Sequence, residues 1–307
     1  MGGYSGGEEV GLFTGRIVCP IPVIRSADPT GRGIFYDQDA VTLPIVFHLF
    51  GLALPAHLVM ETLAYAVGFR LYLFLRKQQK DSLSDEVRLT ALAGGVVGAA
   101  IGSKLLGFME HPELWRLVAK NPVYAMAAKT ILGGLLGGII GVEIAKAMTG
   151  VTRSTGDLYV FPLLVAIMIG RVGCLLTGVS DGTWGDPTRF FMGFDAGDGV
   201  MRHPTPLYEI LFLGLLGLVL WVVQRRVRLR DGDLFKIFIM AYCAWRFVIE
   251  FIKPVTTYAL SGLNIVQIIA TVSHGGGLSL LQMAALMGFV WYGWVFAQRR
   301  WGKHGGA

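Results

Sequence analysis

LYVFPLLVAIMIGRVGCLLT, residues 158–177, is a run of apolar side chains with a single charge, Arg171. As a helix it is long enough to cross roughly 30 Å of hydrocarbon. Similar runs recur on both sides, at about 55–75, 90–109, 126–147, 207–223, 234–252 and 279–297. The apolar region from Val41 to Leu75 is too long for one span, so 42–53 reads as a surface or re-entrant helix before the first span. Seven spans predict an all-α, polytopic integral membrane protein. Composition agrees. Of the 307 residues, 53% are hydrophobic and only 16% charged, against about 25% charged in soluble domains.

The basic residues orient the spans. RKQQK (76–80), Lys146 with Arg153, RRVRLR (225–230) and QRRWGK (298–303) follow the first, third, fifth and seventh spans. Those ends should face the cytoplasm. The N-terminus and the loops 110–125, 178–206 and 253–278 should then face outward, and the C-terminus inward. Residues 1–40 are polar and Gly-rich, with no basic n-region before an apolar core. They read as an extramembrane extension, not a signal peptide. Residues 41–300 read as a single transmembrane domain. The net charge of +6 reads as topology, and no nucleic-acid partner is expected.

Gly94, Gly98 and Gly102 share a face of the second span, and Gly133, Gly137 and Gly141 share a face of the third. Glycine at this spacing lets helix backbones approach closely. The three cysteines, Cys19, Cys174 and Cys243, lie far apart and form no metal-binding or disulfide pattern.

Charge inside a membrane is expensive and marks candidate function. Glu61, Lys104, Lys129, Arg171, Glu209, Arg246 and Glu250 fall in or at the ends of spans, mostly in the outer half. They predict a polar cavity opening outward. Tyr242, Arg246 and Glu250, at four-residue spacing, share one helix face. They form either an internal ion pair that locks the span or a charged cavity wall. Arg171, between Gly170 and Gly173, has no acid one turn away on its own helix. A guanidinium suits phosphate geometry, so an anionic lipid headgroup is one partner. A salt bridge to Glu209 or Glu250 is the other. The 178–206 loop carries Asp181, Trp184, Arg202 and His203. Pro204 holds His203 extended before the next helix, where an imidazole is either a base near neutral pH or a structural hydrogen-bonding group.

The ordered set Gly170–Gly178 (GRVGCLLTG), RHPTPLYE (202–209) and LFKIFIMAYCAWRFVIEFIKP (234–254) resembles the prolipoprotein diacylglyceryl transferase family over about residues 55 to 300. The resemblance implies transfer of a diacylglyceryl group from phosphatidylglycerol to the thiol of a lipobox cysteine in an exported preprolipoprotein. Glycerol 1-phosphate would leave, in the bacterial inner membrane, with no metal or other cofactor required. It carries phosphatidylglycerol contact to Arg171. It matches Tyr242, Arg246 and Glu250 to the family's Tyr-x-x-x-Arg-x-x-x-Glu face. It matches Arg202, His203, Tyr208 and Glu209 to its Arg-His-Pro stretch. Asp181, Lys104 and Glu61 join the substrate-binding candidates.

The departures are specific. Leu132 stands where the family has a histidine, in KTILGGLLGG, and Cys174 where it has an asparagine. Lys104 stands for an arginine. VMET (59–62) stands for the family's His-Trp-Tyr-Gly, which puts Glu61 at the tyrosine. Lys129, Glu61 or His203 would then supply proton transfer. The alternative is a phospholipid-binding or lipid-transporting member without transferase activity.

Overall fold

The structure, a computed structural model, describes residues 43–49, 51–78, 84–110, 114, 118, 128–253 and 278–301. Residues 1–40 lie outside them, and of the three loops expected outside the membrane only 178–206 is described throughout. Seven long helices are present among the described residues. They are α1 (Ala56–Gln78), α2 (Asp85–Glu110), α3 (Ile131–Thr149), α4 (Val160–Thr177), α5 (Thr205–Arg226), α6 (Asp233–Ile249) and α7 (Leu280–Trp301). Six are long and apolar enough to cross a membrane, and α6 has 17 residues. The protein is an all-α polytopic membrane protein.

Residues 42–53 do not form the helix expected of them. Val46–Leu49 (β1) and Leu52–Pro55 (β2) pair as an antiparallel hairpin through Gly51, whose φ of 78° suits a tight turn. A short apolar run carries no periodicity that separates strand from helix. Here Gly51 and Pro55 bound segments too short for a helix. The hairpin is tied down: Ile45 N–H donates to Leu176 O at 2.9 Å, and Ala56 N–H to Ile45 O at 3.1 Å.

The described chain groups into two compact units. One comprises the residues up to Ala66 together with Ile167–Ile210, and the other Val67–Ala166 together with Leu211 onward. The second unit holds the α2–α3 pair. A side chain on Gly98 would strike Gly137 O, and one on Gly102 would come within 2.8 Å of Gly137 Cα. The glycine faces therefore meet backbone to backbone, as their spacing predicts. Val97, Ile101 and Leu105 form another stripe of α2, all more than half exposed. In a bilayer such a stripe faces lipid.

Helix ends in this unit follow ordinary capping. Thr130 caps α3 by accepting from Gly133 N–H at 3.2 Å, and Gly150 ends that helix at φ 70°. Asp157 caps α6 from a distant part of the chain, accepting from Gly232 N–H at 2.6 Å and Phe235 N–H at 2.9 Å.

Candidate functional site

The first unit gathers charged residues from the start of α1, the end of α4 and the start of α5. Arg171 lies near the end of α4, and its Nη2 meets Glu209 Oε2 of α5 at 2.8 Å. Both side chains are more than nine-tenths buried. Of the two partners that the sequence allowed, the structure shows the ion pair. Arg171 Nη1 also donates to Cys174 Sγ, one turn further on, at 3.6 Å.

Gly173 brings a second element to this point. A Cβ there would lie 2.9 Å from Met60 Cβ and 3.3 Å from His57 Cα. Only a glycine lets the first turn of α1 come this close, whereas Gly170 faces open space. His57 thereby reaches the end of α4. Its Nδ1 lies 2.8 Å from Asp181 Oδ1. Asp181 closes the 3-10 turn Gly178–Asp181, which Gly182 ends at φ 70°. Thr183 Oγ1 donates to Asp181 Oδ2 at 2.6 Å. On the other side of the imidazole, Nε2 is 3.9 Å from Glu61 Oε2, and Tyr65 O–H donates to Glu61 Oε1 at 3.1 Å. The ligating atoms of His57, Cys174 and Asp181 all lie within 4.8 Å of one another.

The loop that follows is a small ordered scaffold. Phe194–Asp195 (β3) pairs with Met201–Arg202 (β4). Asp195 Oδ1 accepts from Gly197 N–H at 2.8 Å and Gly199 N–H at 3.0 Å. Arg202 makes a two-pronged bond to Asp198 Oδ2, at 2.7 and 2.9 Å. Burial by itself raises the Asp198 carboxyl, but the bonds from Arg202 outweigh it and hold the group below its ordinary value. His203 is fixed at three points. Its N–H donates to Asp186 O at 3.1 Å, its carbonyl accepts from Gly185 N–H at 2.9 Å, and its Nδ1 lies 3.2 Å from Tyr208 O–H. Thr205 O–H donates to Thr183 O and so pins the start of α5.

In the second unit Arg246 Nη2 meets Glu250 Oε2 at 3.1 Å, with Arg246 buried and Glu250 partly so. Tyr242 is fully buried on the same helix. Lys104 is half-buried within α2, and Lys129 is exposed in the segment just before α3. Leu132, at the position of the family histidine, is 1% exposed.

The structure thus brings Arg171, Glu209, Asp181 and Glu61 into one cluster and adds His57 and Cys174. Sequence reasoning missed those two as a pair. The signal was weak. The position aligned with the family's first histidine is Val59, and His57 stands two residues earlier, directly after the hairpin.

Fold and cluster define a multi-pass helical membrane protein whose charged side chains are buried against one another near helix ends. The chain belongs to the prolipoprotein diacylglyceryl transferase family, whose model matches residues 44–299. Three relatives, each a phosphatidylglycerol–prolipoprotein diacylglyceryl transferase, illustrate the range. That of Dehalococcoides mccartyi is 28% identical over 236 residues, covering 75% of this chain and 88% of the relative. That of Clostridium tetani is 25% identical over 224 residues, covering 68% and 85%. That of Idiomarina loihiensis is 29% identical over 228 residues, covering 68% and 80%.

Proposed function

We propose that this chain transfers the diacylglyceryl group of phosphatidylglycerol to the thiol of a lipobox cysteine in the signal segment of an exported prolipoprotein, at the bacterial inner membrane. One observation carries the reading. The family match over residues 44–299 takes in every charged member of the cluster, from His57 and Glu61 through Arg171 and Asp181 to Glu209. Nucleic acid has no part in this chemistry. Residues 41–300 act as the membrane-embedded part and residues 1–40 as an extramembrane extension. Loop 178–206 faces outward, where exported substrates are met.

In this reading a sulfur attacks the glycerol carbon next to the phosphate. A carbon–sulfur bond forms, the carbon–oxygen bond breaks, and glycerol phosphate leaves with the electron pair. Charge builds on the leaving phosphate, so a fixed cation there lowers the barrier. Arg171 is that cation, and Glu209 holds its guanidinium in one orientation. His203 and Arg202 lie on the scaffolded loop, with Tyr208 beside His203.

Leu132 favours a second reading, lipid binding without transfer, because a buried leucine carries no proton. The two part in one experiment. Purified protein, phosphatidylglycerol vesicles and a lipobox peptide should yield a peptide heavier by one diacylglyceryl group. A peptide with serine in place of the cysteine should stay unchanged. Lipid binding with no change in peptide mass would select the second reading.

A further inference from the structure

Four helix ends of the second unit close on one recess: the last turns of α1, the first turn of α2, the last turn of α3 and the 3-10 turn Gly156–Tyr159 that opens α4. Its charged lining residues are Arg88 and Lys146, 8% and 5% exposed. The hydroxyl-bearing side chains of Tyr72, Thr155 and Tyr159 complete its polar wall. We propose that this recess is a phosphate site, filled by the headgroup of an anionic phospholipid.

Charge balance is the first support. A buried cation is costly unless an opposite charge meets it. Lys146 Nζ lies 2.9 Å from Glu143 Oε1, but that carboxylate reaches in from outside, since the Glu143 side chain is 65% exposed against 7% for Lys146. Among the described residues no carboxylate lines the recess. The neighbouring acids are engaged elsewhere. Asp157 accepts from the Gly232 and Phe235 N–H groups, Asp85 meets Arg76 and Asp231 meets Arg153. Glu86 is exposed.

Donors and shape are the second. Arginine and lysine side chains only donate, and a phosphate oxygen only accepts, so one oxygen suits both cations at once. Thr155, which precedes the 3-10 turn, makes no side-chain bond to cap it. The Tyr72 and Tyr159 rings stack with centroids 4.9 Å apart, so the wall is formed in advance. The inner part of the recess takes a group the size of one water molecule or one phosphate oxygen, and one side is open. A phosphate can set one oxygen inside while its ester chain leaves through the open side.

Place indicates a lipid as the source. Phe74, Leu89 and Met148, on the same helix ends, are all more than half exposed. In a bilayer acyl chains cover such residues, and basic pockets between helices at this level hold lipid headgroups. These ends adjoin the lysine and arginine clusters expected to face the cytoplasm, so the lipid would come from the inner leaflet. The recess shares no residue with the Arg171 cluster, and the proposal does not rest on the transferase reading.

Phosphatidic acid is the probe, compared with phosphatidylcholine of the same chains and with inorganic phosphate. In native mass spectrometry the full chain in detergent should retain phosphatidic acid about 10-fold more tightly than phosphatidylcholine, as one or two charge contacts would give. The double variant Arg88→Gln with Lys146→Gln should hold one phosphatidic acid fewer than wild type. Arg153→Gln, whose cation lies outside the recess, should match wild type. A photoreactive group near the lipid phosphate should label residues 87–91 or 146–159 of the wild-type chain, a readout that no folding defect of a variant can disturb. Inorganic phosphate that raises the unfolding temperature of lipid-free wild type, but not of the double variant, would keep the phosphate site and replace the lipid by the free ion. Equal retention of the two lipids, labelling only elsewhere in the chain, or a double variant that binds as much phosphatidic acid as wild type would overturn the proposal.

Discussion

Arg171 and Glu209 meet at 2.8 Å with side chains 7% and 3% exposed. Removing one partner of such a buried pair costs about 3–5 kcal/mol. Arg171 was legible in the sequence because a lone arginine in an apolar run is conspicuous. Glu209 was legible as one of two candidate partners. His57 was not legible, because its meeting with Asp181 depends on a close helix approach at Gly173 and a left-handed turn at Gly182. The Asp181-Gly182 step does mark a turn, but the close approach at Gly173 has no sequence signature of its own. At the loop, Asp198 makes a pH-dependent contribution. Its carboxyl is held below the usual value by Arg202. The stabilisation is therefore complete above the unfolded value of about 3.9 and is lost as pH falls through the lowered folded value. Amide exchange over residues 194–202 should be faster in Asp198→Asn than in wild type near neutral pH. The difference should vanish below the lowered folded value. Equal exchange at neutral pH would show that the pair does not order the loop.

At the scale of elements, the clearest agreement is between glycine spacing and helix contact. Gly94, Gly98 and Gly102 predicted a close-packed face from spacing alone, and α2 and α3 meet there with no room for a Cβ. Gly98→Val should destabilise the protein by at least the 1–3 kcal/mol typical of overpacking. Thermal unfolding in detergent measures this. Gly217→Ala is the control, since its Cβ would sit at an ordinary 3.6 Å from Leu164 Cδ1, and it should move stability by less than about 1 kcal/mol. Equal effects at both positions would remove close packing as the reason for the glycine face. The hairpin β1–β2 was the element that sequence reading misjudged. A four-residue apolar strand and a short helix look alike in sequence. The cap that Asp157 gives α6 was equally hidden, because the capping side chain comes from far away in the chain.

For the whole molecule, the spans were the easiest feature to read, since length and apolarity decide them directly. The lysine and arginine clusters predict the orientation, and some of their members are paired in place. Arg153 Nε meets Asp231 at 2.9 Å, and Lys146 Nζ meets Glu143 at 2.9 Å. A single cysteine placed in loop 178–206 should react with an impermeant thiol reagent added to intact spheroplasts, and one placed at 225–230 should not. The reverse pattern would put the cluster on the wrong side for an exported substrate. The central claim is transfer at a site organised by Arg171. Its most direct test follows lipobox-peptide lipidation and glycerol phosphate release together, with purified wild-type protein and Arg171→Ala. The wild type should form the two products one for one. The variant, still folded and membrane-bound, should be slower by about 100-fold or more, the loss expected when a donor to developing charge is removed. No lipidated peptide from the wild type, or an undiminished rate from Arg171→Ala, would contradict the account.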